Sequence, residues 1–161
     1  MSNPQDAVQH LSFRVRQARY ALPIERVREI IEYGQVTHVP MMPGFIHGVI
    51  NLRGNVVPVL DLAARFGLPL SAPNRRTCIV IIELDLADSL QRVGLVVDAV
   101  DAVLDIEPER IEPTPPFGAG IGTEFIAGMA RDEGGFTIIL DVRRTLSLDD
   151  IRQLSVVAQA S

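Results

Sequence analysis

Three histidines, one cysteine and an acidic run are the residues of this chain whose types could do chemistry. His10, His38 and His47 are separated by 28 and 9 residues with no cysteine pair nearby, which does not suit a metal site. Cys78 sits in the apolar run Thr77-Cys78-Ile79-Val80-Ile81-Ile82 and reads as a small core residue rather than a nucleophile. Asp98, Asp101, Asp105, Glu107, Glu109 and Glu112 lack the spacing and the glycine of a calcium loop, so they read as a solvated face. Gly118-Ala119-Gly120-Ile121-Gly122 follows Pro115-Pro116-Phe117 instead of a strand. Thr123 stands where a dinucleotide loop has its third glycine, and a mobile loop is expected there. There is no Gly-x-Ser-x-Gly, no paired base and nucleophile and no phosphate loop. The expectation is a binding protein, not an enzyme, with no catalytic residues, no cofactor and no metal.

The elements that would carry such a surface are mostly strands. Of 161 residues, 18 are Val and 15 are Ile, a β-branched bias that favours half-buried pleated surfaces. The pattern predicts strands over Leu11–Val15, Tyr20–Ile24, Gln35–Val39, Phe45–Leu52, Asn55–Leu62, Thr77–Leu84, Arg92–Asp98, Phe125–Ala130 and Phe136–Val142. A short helical turn is expected at Leu62–Phe66. A C-terminal helix is expected from Leu148 to about Val157, with Ser147 as its cap. A net charge of -5, with fifteen scattered arginines and no lysine, argues against nucleic acid as a partner. No apolar run approaches the roughly 20 residues of a membrane span and no signal peptide is evident, so a cytoplasmic location is expected.

The chain also repeats itself. Phe45–Phe66 aligns with Phe125–Leu146 at a constant offset of 80, with six identities in 22 positions, including Gly48/Gly128, Gly54/Gly134 and Asp61/Asp141. A second match at an offset of 73 sets Tyr20–Ile31 against Val93–Leu104. Two copies of one β unit are therefore expected, meeting near Leu70–Arg76. The shared glycines suit a bulge or a turn, and the shared aspartates suit helix capping. The copies differ most at a hairpin tip, where Asn51-Leu52-Arg53 faces Arg131-Asp132-Glu133. A large apolar residue and an arginine at a tip suggest a partner contact. The alternative is that Leu52 tucks into the core and Arg53 pairs internally.

Phe45-Ile46-His47-Gly48-Val49-Ile50-Asn51-Leu52-Arg53-Gly54, followed by Val57-Pro58-Val59-Leu60-Asp61-Leu62, resembles the main signature of the CheW-like chemotaxis coupling family. Tyr20–Ile30, Val93–Asp98 and Phe125–Gly128 add to the resemblance, which runs from about Leu11 to Leu146. It implies a mainly β fold of two SH3-like five-stranded barrels around a shared core. The whole chain, 1–161, would then be one such domain, with barrels at about 11–72 and 73–146 and a helix and tail over 147–161. It implies a non-catalytic scaffold, peripheral to membrane-associated receptor arrays, that joins the cytoplasmic tip of a methyl-accepting chemoreceptor to the regulatory domain of a CheA-like histidine kinase. Carried over by position, Glu29 and Arg53 are the polar pair of the working surface. Val27, Ile30, Gly48 and Val100 are its groove residues, and Asn51, Leu52 and Gly54 complete the tip. Other expectations are an adaptor of a pilus or other non-flagellar pathway, and a small-molecule-sensing β-barrel module.

Overall fold

Alternation of apolar and polar side chains builds the first hairpin. In the computed structural model, which describes residues 7–42, 44–69, 71–86, 89–113, 125–132 and 134–145, Val8–Val15 (β1) pairs antiparallel with Ala18–Pro23 (β2). Leu11, Phe13 and Val15 point one way and are buried, together with Tyr20 and Leu22 opposite. Val27–Glu32 (β3), Ile46–Leu52 (β4) and Asn55–Asp61 (β5) follow, then one helical turn, Leu62–Arg65 (α1). Asp61 caps that turn, accepting from the amides of Ala63 and Ala64. The second half comprises Cys78–Leu86 (β6), Ser89–Val97 (β7), Ala99–Ile106 (β8), Ile111–Glu112 (β9), Ile126–Asp132 (β10), Gly135–Leu140 (β11) and Val142–Thr145 (α2).

The strands form two sheets, in the orders β8-β1-β2-β11-β10-β9 and β3-β6-β7-β5-β4. The repeat is visible in both. Gly48 and Gly128 sit at matching register shifts, and the amides of Asp61 and Asp141 donate to the carbonyls of Phe45 and Phe125 at 2.8 and 3.0 Å. The parallel pairs Val59↔Gly94 and Ile139↔Ala21 are equivalent positions with the copies exchanged. Each sheet thus takes its first hairpin from one copy and its remaining strands from the other. The expected barrels at 11–72 and 73–146 follow the sequence copies and do not match this pairing. β1 and β2 lie in the sheet of the second copy, while β6 and β7 lie between β3 and β5 of the first. Exchange lets each hairpin bond on both edges, antiparallel on one side and parallel on the other.

Other expectations are corrected as well. Gln35–Val39 makes no strand; its one ladder contact is the bridge Thr37↔Val49. β3 and β8 are strands not expected from the sequence; both are end strands that bury little and mix charged with apolar residues on their exposed positions. The acidic run is not simply solvated: Asp98 accepts both oxygens' worth of bonds from Arg16, and Asp101 lies 3.3 and 3.5 Å from Arg14 and Arg19. The expected C-terminal helix and the Gly118–Gly122 loop lie outside the described residues.

The largest core lies between the sheets, where Leu11, Phe13, Tyr20 and Leu22 of one meet Leu60, Val80, Ile82 and Leu95 of the other. Phe66, just past α1, stacks on Tyr20 at 5.4 Å. Two smaller cores fill the sheets' interiors. One contains Ile50, Leu52, Val57, Val59, Ile79 and Ile81; the other contains Ala21, Ile106, Ala130 and Ile139.

Candidate partner-binding surface

Leu52 and Asn55 are the last paired residues of the β4–β5 hairpin, so Arg53-Gly54 is a two-residue loop. Both loop residues have positive φ, +53° and +89°, the backbone of the tight turn that matches strand twist. Glycine suits the second position; arginine is unusual at the first, where Asn, Asp or Gly is usual. Asn51 fixes the turn, its Oδ1 accepting from the Gly54 amide at 2.8 Å. The backbone therefore throws the Arg53 side chain across to β3. There its two terminal nitrogens donate to Glu29 Oε1 and Oε2 at 3.2 and 2.5 Å.

β3 and β4 are the two end strands of their sheet, so this pair ties one edge to the other and closes the curl around the inner core. Arg53 remains 65% exposed and Glu29 29%, which leaves the guanidinium accessible. The Arg53 hydrogen bond holds the Glu29 carboxyl below the usual carboxylate range, against desolvation and with help from the charges of Arg53 and Arg92. Glu29 in turn pushes the Arg53 proton affinity up. Arg92 also approaches Glu83, to which Arg28 donates at 2.6 Å, so Arg28, Glu83, Arg92, Glu29 and Arg53 alternate in sign across β3, β6, β7 and the tip. Sequence spacing gives no hint of this belt, because Glu83 joins it only through β3–β6 pairing.

The remaining expected residues divide. Leu52 is a core side chain, 8% exposed among Ile50, Val57, Ile79 and Ile81, and presents nothing at the tip. Gly48 is buried at the β4 bulge beneath Thr37. A Cβ there would lie 2.2 Å from the Thr37 carbonyl oxygen and 2.9 Å from Val36 Cγ1, so glycine is what allows segment 36–37 to approach. Val27 and Val100 are half-buried against the core between the sheets, and Ile30 is 42% exposed. Val27 and Ile30 on β3 correspond through the offset of 73 to Val100 and Val103 on β8. Val103, the β8 counterpart of Ile30, is 53% exposed. The structure thus assembles Glu29, Asn51, Arg53 and Gly54 at one rim and sets the apolar residues on the two equivalent end strands.

Among the described residues no group of three or more His, Cys, Asp or Glu is arranged to hold a metal. No helix among them is long and apolar enough to cross a membrane.

Comparison with known proteins agrees with this geometry. The CheW-like domain family matches residues 9–150. A chemotaxis protein CheW of Klebsiella aerogenes is 33% identical over 151 residues, covering 93% of this chain and 88% of that protein. A probable chemotaxis protein CheW of Rhizobium etli is 36% identical over 74% of each chain. Among solved structures, the scaffolding protein TtCheW of Thermoanaerobacter tengcongensis superposes with a TM-score of 0.79 at 34% identity, covering 89% of this chain and 90% of that one. With the sheet order, the exchanged repeat and the Asn-Leu-Arg-Gly turn in place, the chain belongs to the CheW-like domain family.

Proposed function

We propose that this protein is a non-catalytic chemotaxis adaptor. It would act in the cytoplasm at receptor arrays, coupling the cytoplasmic tips of methyl-accepting chemoreceptors to the regulatory domain of a CheA-like histidine kinase. The observation that carries the reading is the Arg53–Glu29 pair. A turn that favours Asn or Gly instead carries an arginine, locked by Asn51 and held across the sheet's open edge while most of its surface faces water. Such a guanidinium keeps donors for a carboxylate or carbonyl on a partner. The apolar Ile30 and Val103, each about half exposed on the end strands, supply surface for a helix, whose i, i+3, i+4 and i+7 side chains need apolar pockets. Titration of a receptor-tip helical hairpin into isotope-labelled protein tests this. Saturable shifts at Ile30, Arg53 and Val103 support the reading, and an unchanged spectrum overturns it.

A further inference from the structure

Residues 33–39 run beside β4 and cover Gly48. Their backbone is held by two reciprocal bonds, Thr37 N–H to Val49 O at 2.9 Å and Val49 N–H to Thr37 O at 2.8 Å. Side chains add a second set of ties. The His38 Nδ1–H donates to the His47 carbonyl at 2.9 Å, and the Tyr33 hydroxyl lies 2.6 Å from His47 Nε2. The two imidazoles meet edge to face with centroids 5.0 Å apart. The second copy makes the same backbone contact as the strand pair Glu112↔Met129, but there Ile106 and Ala127 stand at the positions of Tyr33 and His47. The first copy ties this crossing with two imidazoles and a phenol, where the second has neither at the matching positions.

We infer that segment 33–39 is a proton-sensitive clamp, closed on Gly48 while His47 is neutral and released when it is protonated. In its Nδ1–H tautomer a neutral His47 accepts the Tyr33 O–H at Nε2. Protonation of that nitrogen removes the acceptor and leaves the hydroxyl hydrogen to find another partner in a half-buried site. Among the described residues the charged and titratable groups acting on His47 are Tyr33, His38 and Asp61, and His38 shares one surface hollow with His47 and Asp61. Asp61 opposes release, since its carboxylate favours an imidazolium. Burial outweighs it, and with the charge of His38 lowers the His47 proton affinity below that of free histidine. A base whose affinity is depressed on folding leaves stability intact above its unfolded value, near pH 6.5, and loses it as pH falls through that range. Release therefore belongs on the acid side.

Amide hydrogen exchange on the intact chain tests the clamp. The protection of the Thr37 and Val49 amides, taken relative to Val80 and Leu95 in the core, should fall about tenfold between about pH 7.5 and 5.5. In the double variant His38→Gln, His47→Gln, which keeps hydrogen-bonding groups at both positions but no titratable charge, the ratio should stay flat. The core amides report in the same spectrum whether that variant is folded. A flat ratio in the wild type, or an equal fall in a folded double variant, overturns the inference. Gly48 is one of the residues carried over for receptor binding, but the exchange measurement needs no partner, so its failure is distinct from failure of the adaptor reading.

Discussion

Arg53 reaches from the tip of the β4–β5 hairpin to Glu29 on the opposite end strand, making a two-pronged bond that joins the edges of one sheet. The same two side chains close the fold and stand on the proposed working surface, and a charge-swap series separates those roles. Arg53→Glu sets two carboxylates together, and adding Glu29→Arg restores opposite charge. The double variant should regain the wild-type denaturation midpoint without regaining association with receptor and kinase. Recovery of both would assign the pair to internal closure alone.

Removing the guanidinium should also be visible in titration. Since the Arg53 bond is the largest cause holding the Glu29 carboxyl low, Arg53→Ala should move that carboxyl back toward its ordinary range in a carboxyl-carbon NMR titration. The folded-state value is depressed, so the pair's contribution is present above the unfolded carboxylate pKa and lost as pH falls through the folded one. An unmoved titration would mean that Arg92 and the backbone set it instead.

Gly48→Ala and Gly128→Ala test how far the repeat is symmetric. At Gly48 the new methyl meets backbone, 2.2 Å from the Thr37 oxygen; at Gly128 it meets the Ile111 Cγ2 at 2.4 Å, while the backbone oxygen of Glu112 stands farther off at 3.1 Å. The first substitution should cost about 2–3 kcal/mol and the second about 1, read from urea midpoints at constant slope. Equal costs would mean that segment 36–37 yields as readily as a side chain.

Arg65 lies over Phe45 at 5.0 Å and over Phe125 at 4.9 Å, the two rings being equivalent positions of the repeat. Arg65→Ala should destabilise by about 1–2 kcal/mol through loss of both contacts. Phe45→Leu should reduce the effect of that substitution in a double-mutant cycle. Strict additivity would show that the guanidinium acts elsewhere.

Much of this was legible in the residues because local pattern and self-similarity are local facts. The shared Gly48/Gly128 and Asp61/Asp141 do mark bulges and helical caps, as their recurrence suggested. Val27–Glu32 and Ala99–Ile106 do not stand out in the sequence because an end strand has less apolar surface to bury, and charges along it hide its period. Val36, Thr37 and Val39 imitate a strand, yet only Thr37 finds a partner. The exchange of hairpins depends on which distant edge each strand meets, so no spacing revealed it. Leu52 shows the same limit: whether a tip leucine faces water or Ile79 and Ile81 is decided by β6, far along the chain.

The adaptor reading itself is tested most directly by sedimenting receptor-containing membranes with a CheA-like kinase, with and without this protein. The prediction is that the kinase enters the pellet in proportion to added protein and that Arg53→Glu, folded by its denaturation curve, sharply reduces that recruitment. Kinase that pellets equally without the protein, or equally with wild type and Arg53→Glu, would contradict the account.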